Sequence, residues 1–156
     1  MSLEGDTLVV SSSSGPWQAV VPFHYFIFGL QSAPTEGARR TEALVVSTGS
    51  APDAAPPGYS QATLAVFFTQ GADIKSFEAT WLERLQIPGD TKRTTLGQAK
   101  YSSRKLFDAA MRLHKEVVFI PSSKGSFAVL YSGLDGTYQV NRPHFLSFLQ
   151  ALKVPE

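Results

Sequence analysis

What most constrains this chain is that its extended, apolar stretches follow one another with turns between them, and seldom with helices. Thr7 to Val10, Glu42 to Ser47, Ala62 to Gln70, Glu116 to Ile120 and Ser126 to Tyr131 are rich in β-branched and aromatic residues and read as strands. Trp17 to Leu30 reads as two extended pieces separated at Pro22. Parallel neighbours need a crossover of about a dozen residues or more, usually a helix, whereas antiparallel neighbours need only a turn. The pattern therefore predicts an α+β fold with a single antiparallel sheet of about six or seven strands and two or three helices packed on it.

Two segments carry a helical period. Ile74, Phe77, Trp81, Leu82 and Leu85 draw one apolar stripe over Asp73–Gln86, with Asp73 or Ser76 as the cap and Pro88-Gly89 as the stop. Near the C-terminus Asn141 can cap a helix with Pro143 in its first turn and a stripe of Phe145, Leu146, Phe148, Leu149 and Leu152. Thr91 to Ser103 holds a weakly apolar strand, and Arg104 to His114 fits either a helix or a bent strand and loop. Pro121 to Gly125 and Leu134 to Thr137 read as turns, and Thr48 to Ser60 as a long surface loop.

The 156 residues suit one globular domain spanning 1–156. With 43% hydrophobic and 17% charged residues, the chain can build a core without a staple. The absence of cysteine excludes disulfides, thiolate metal sites and cysteine nucleophiles. The longest nearly apolar stretch, Ala19 to Leu30, falls short of the ~20 residues of a transmembrane helix, so no transmembrane segment is expected. The start lacks the basic and apolar regions of a signal peptide. Met1-Ser2-Leu3 and Glu156 read as additions from cloning, in which case the natural chain would begin earlier, with a signal or anchor trimmed away.

The element order from Ala62 onward resembles the PsbP-like fold, the family of the photosystem extrinsic protein P, the lipoprotein DcrB and a yeast Ran-release factor. The resemblance is carried by strand Ala62–Gln70 running straight into helix Asp73–Gln86, by the small-residue start Leu96-Gly97-Gln98-Ala99, by the hairpin Val117–Tyr131, and by Phe145-Leu146-Ser147-Phe148-Leu149 in a closing helix. It implies a noncatalytic adaptor or binding domain, here the soluble part of an exported bacterial protein with an extracytoplasmic setting, periplasmic or membrane-anchored as a lipoprotein. Members bind unrelated partners, so the likeness selects none and carries over no site residue.

No catalytic motif stands out. His24, His114 and His144 are too far apart in sequence for a helical or strand pair of metal ligands. Gly-x-Ser-x-Gly and the phosphate-binding glycine loop are both missing. No metal site, catalytic residue or cofactor is expected.

Two features remain. Residues 92–115 hold seven Lys and Arg against one acid, while residues 1–91 hold four against nine. Lys92, Arg93, Lys100, Arg104, Lys105, Arg112 and Lys115 would form a patch for an anionic ligand or acidic protein if they shared a face. Strand alternation would instead scatter them over a solvated surface. Specific nucleic-acid recognition is not expected, because the basic run holds only two aromatics, Tyr101 and Phe107, too few for a stacking platform. Trp17, His24 and Tyr25, in an aromatic-rich segment, would line a pocket in a small enzyme or ligand carrier, or else contribute to the core.

Overall fold

This computed structural model describes residues 2–4, 7–12, 17–22, 25–34, 40–48, 62–87, 93–96, 101–110 and 112–155. Ten strands and two helices run in the order β1 (Ser2–Glu4), β2 (Thr7–Ser11), β3 (Gln18–Val21), β4 (Phe26–Pro34), β5 (Arg40–Ser47), β6 (Ala62–Gln70), α1 (Ile74–Arg84), β7 (Arg93–Leu96), β8 (Tyr101–Asp108), β9 (Leu113–Ser122), β10 (Gly125–Leu134) and α2 (Tyr138–Ala151). Seven strands form one antiparallel sheet in the order β4-β5-β6-β10-β9-β8-β7. The α+β class and the large antiparallel sheet are as the sequence predicts.

Beside the predicted sheet stands a second, smaller one that the sequence reading does not contain. Among the ten strands, β1, β2 and β3 pair with one another and with no other, and make a separate three-stranded sheet. Val10, Ala19 and Val21 from this small sheet are buried in the same cluster as Leu44, Leu64, Val129 and Phe145. The small sheet thus shares one face of the large sheet with α2.

Period-two alternation divides the core. On β10, Phe127, Val129 and Tyr131 point into the α2 cluster, while Ala128 and Leu130 pack in the cluster formed with α1. This explains why Val117–Ile120 and Phe127–Val129 read as continuous apolar runs: the strands carrying them are covered on both faces. On α1, Phe77 and Leu82 are buried, and Ile74, Trp81 and Leu85 are partly so, completing the stripe read from sequence.

Local chemistry sets the ends of α1. The Asp73 carboxylate accepts from the Ser76 backbone N–H at 3.1 Å, which settles the cap. The helix ends at Arg84, ahead of the Pro88-Gly89 stop, because Gln86 turns to a positive φ of 58° and Ile87 folds back to donate to the Leu82 carbonyl. Pro88 and Gly89 lie outside the described residues.

The second helix is also corrected. It begins at Tyr138, a turn earlier than expected, and Asn141 is a buried residue inside it and not its cap. Burial of Tyr138 against β9 and β10 outweighs the capping preference of Asn141. Leu146 is exposed and leaves the apolar stripe to Phe145 and Phe148, with Leu149 and Leu152 partly buried against them. The ambiguous stretch Arg104–His114 is strand and turn: β8 runs to Asp108 and β9 begins at Leu113. Thr48 and Ala62 clasp each other through two hydrogen bonds, so the long segment between β5 and β6 leaves and returns at one point. Most of that segment, with Gly97 to Ala99, lies outside the described residues.

Gly125 shows how tightly the centre is built. It opens β10 at φ +151°, and a Cβ there would collide with the Thr69 carbonyl oxygen and approach the Gly71 nitrogen to 2.9 Å. Gly125→Ala is expected to destabilise the fold by about 2–3 kcal/mol, read from urea denaturation.

Candidate functional site

The most concentrated polar chemistry among the described residues lies where α2 crosses β9. Glu116 is completely buried, yet its carboxylate is well partnered. The Tyr138 hydroxyl donates to Oε2 at 2.5 Å, Arg142 Nε donates to Oε2 at 3.1 Å, and an Arg142 terminal nitrogen donates to Oε1 at 2.9 Å. Lys105 stands 3.7 Å away and is nearly half exposed. This forked pairing with a guanidinium is the geometry that best offsets taking a carboxylate out of water. The bond from Glu116 holds the Arg142 pKa above its usual value.

A stack of rings continues from this ion pair. Tyr131, Tyr138, His114 and Phe107 stack in succession with centroids 4.9, 4.4 and 4.4 Å apart, and Phe145 stacks on the far side of Tyr131. The Tyr131 hydroxyl donates to the Tyr138 carbonyl at 2.6 Å. Burial, with the Glu116 hydrogen bond and charge, raises the Tyr138 phenol above its ordinary value; burial, then the Glu116 charge, does the same for Tyr131. At the exposed end His114 Nε2 donates to Asp135 at 2.8 Å, and this bond holds the Asp135 carboxyl below the usual range. Tyr138, Glu116 and His114 thus have the residue types of an acid–base site, but Tyr138 and Glu116 bond each other, with Arg142 on the same carboxylate, and fasten α2 to β9, while His114 pairs with Asp135.

Alternation settles where the sequence-predicted cations go. Arg104 faces α1 and pairs with Glu78 at 2.9 Å, whereas Lys105, one residue on, faces α2 and Glu116. Lys115 donates to the Leu85 carbonyl at the end of α1, and Arg112 approaches Asp135 to 3.6 Å. Arg104 and Lys115 therefore lie on the α1 face, Lys105 on the α2 face and Arg112 in the turn before β9, so these four described cations do not form one patch. Arg93 lies on the edge strand β7, while Lys92 and Lys100 lie outside the described residues. Trp17 and Tyr25 are buried members of the main core; the Tyr25 hydroxyl lies 3.5 Å from His144 Nδ1, and burial lowers the pKa of His144. His24 lies outside the described residues. Among the described residues no three His, Asp or Glu converge to hold a metal ion, and no helix is long and apolar enough to cross a membrane.

Two open grooves are present, and of the described pocket candidates Trp17 borders the second while Tyr25 borders neither. The first, of about 780 Å³, runs between α1 and the neighbouring β5–β6 surface. Its aromatic lining includes the Phe67–Trp81 pair with ring centroids 4.3 Å apart, Arg84 lies over Trp81 at 5.1 Å, and Asp73 borders it beside the hydroxyls of Ser76, Thr80 and Thr41. The second, of about 880 Å³, opens beside the small sheet and the C-terminal tail and is lined by Trp17, Arg40, Lys124 and Lys153. Arg40, Lys124 and Lys153 are more than a hundred residues apart end to end, so no local pattern could have grouped them.

No family model matches the chain, and no curated protein matches it. A crystal structure at 1.50 Å of a protein from Bacteroides thetaiotaomicron VPI-5482 is similar in fold, with a TM-score of 0.55 and 10% identity over 95% of this chain and 48% of that one. The chain spans about half the length of that protein, and the likeness is one of fold alone.

Two predictions test the reading of the ion pair as a fastening. Glu116→Gln, which leaves Arg142 without its counter-charge, is expected to cost about 3 kcal/mol in urea denaturation, and Lys105→Gln under about 1 kcal/mol. Because both buried tyrosines have phenols raised above their unfolded value of about 10, their contribution is complete below that pH and falls as pH rises above it. Thermal melts should show Tm declining from about pH 10 upward, and less steeply in Tyr138→Phe.

Proposed function

We propose that this chain is a noncatalytic binding domain, the soluble part of an exported bacterial protein of PsbP-like type, and that it takes a protein or anionic partner in the groove beside α1. One observation carries the reading: the large sheet presents an open, aromatic-lined groove rimmed by hydroxyls and Arg84, while the best acid–base candidates are locked in the α2 fastening. Concave surfaces that mix a few aromatics with placed polar groups are the usual form of a recognition site. The groove suits a partner that lays an apolar ring or chain along Phe67 and Trp81 and offers a carboxylate or carbonyl to Arg84, while the Ser76 and Thr80 hydroxyls, which donate to Asp73 and to the Ser76 carbonyl, can accept from a donor on the partner. The strand, helix and hairpin order after Ala62 supports the PsbP-like assignment.

The alternative, a small enzyme or ligand carrier built around Trp17, His24 and Tyr25, draws less support. Trp17 and Tyr25 fill the core, and of these two only Trp17 also borders a groove.

A ligand screen by two-dimensional NMR, using acidic peptides and small organic acids, tests the proposal. Binding compounds are expected to perturb α1 and β5 signals, to lose affinity by about tenfold when Ser76→Trp fills the groove, and to remain chemically unchanged over a day. Turnover of a bound compound would refute the noncatalytic reading. Perturbations that avoid α1 would refute the groove. Cell fractionation of the native host should place the full-length protein outside the cytoplasm.

A further inference from the structure

The second groove lies on the opposite face of the large sheet from α1, at the end where β5 begins and β6 ends. Arg40 enters from the start of β5, Lys124 from the β9–β10 turn and Lys153 from the tail after α2. Although the three side chains come from distant parts of the chain, their backbones are held in place. The Gly71 N–H donates to the Lys124 carbonyl at 2.9 Å, and Lys153 and Gln18 exchange two backbone hydrogen bonds at 2.9 and 3.0 Å. The tail is thereby tied to β3 as an isolated bridge.

Charge in the groove is unbalanced. Arg40 lies 3.4 Å from the buried Glu42, so one cation has a carboxylate at hand. Among the described residues Lys124 and Lys153 make no ion pair, and no acid lines the groove. Gln18 and Gln70 add amide groups able to donate. Trp17, Phe68, Val154 and Pro155 provide an apolar wall. Among the described residues no hydrogen-bond partner meets the buried Trp17 indole Nε1–H, an uncommon condition for a donor of this kind.

We propose that this groove is a site for a small organic oxyanion, a phosphate or carboxylate carried on an apolar body. The anionic group sits among Lys124, Lys153 and Arg40, and the apolar part lies along Trp17 and Val154. The volume of about 880 Å³ accommodates a ligand of that size. This site is separate from the α1 groove, and neither proposal depends on the other.

The chain's two tryptophans make the test direct, because each gives one indole N–H signal in a nitrogen-15 correlation spectrum. Trp17 borders this groove and Trp81 the other. The chain is titrated with phenyl phosphate and with benzoate, and in parallel with benzyl alcohol and with sodium chloride at matched ionic strength. At least one of the two anions should shift the Trp17 signal saturably while leaving that of Trp81 in place, and the tighter of the two names the anionic group. The double variant Lys124→Gln, Lys153→Gln alters two exposed side chains, so its Tm should be unchanged, and its affinity should fall about tenfold. Added salt should weaken binding in the parent chain. The proposal is overturned if neither anion gives saturation, if benzyl alcohol or chloride reproduces the shift, or if the double variant binds as the parent does.

Discussion

Strand β10 is the constraint on which the rest of the structure depends. It pairs with β6 along one edge over nine residues and with β9 along the other over ten, so its backbone donors and acceptors lie between neighbouring strands and not at an open edge. Its side chains then have to satisfy two different surroundings: Phe127, Val129 and Tyr131 enter the core shared with α2 and the small sheet, while Ala128 and Leu130 meet α1. Gly125 allows the strand to begin where the end of β6 passes too close for any side chain. Both helices and both grooves take their positions from this central pairing.

Against that sheet the two helices are held by different physics. α1 is attached mainly by an apolar stripe, with Arg104–Glu78 and the Lys115 bond at its margins. α2 adds to its apolar contacts a fully desolvated carboxylate, a guanidinium fork and a run of stacked rings. A buried ion pair of this kind contributes little net stability compared with an apolar replacement, but it tolerates few alternative arrangements of the groups that make it. Such a pair sets the register of α2 on β9, and with it the path of the tail that carries Lys153 to the second groove.

The sequence was most informative where a residue's surroundings repeat with a local period. The α1 stripe was legible because burial on a helix imposes a spacing of 3.6, and strand Ala62–Gln70 and the β9–β10 hairpin because short apolar runs rich in β-branched and aromatic residues, bounded by turns, mark strands covered on both faces. Legibility failed at the start of α2, where Asn141 and Pro143 offered a sound local start signal that the long-range burial of Tyr138 overrode. It failed again in the basic run. Counting charges along the chain could not say that Arg104 and Lys105 point to opposite faces until Arg104–His114 was known to contain strand and not helix.

The sequence alone therefore determined the class of the fold, the chief strands and the apolar face of α1, since these follow from periodicity and turn chemistry within a dozen residues. Only the tertiary structure decided that β1–β3 form their own sheet, that Glu116 meets Tyr138 and Arg142, and that Arg40, Lys124 and Lys153 open onto one groove. Those groups are brought together by strand order and helix docking. A residue's type states what it can bond to, but the residue facing it across the core is set by the path of the whole chain.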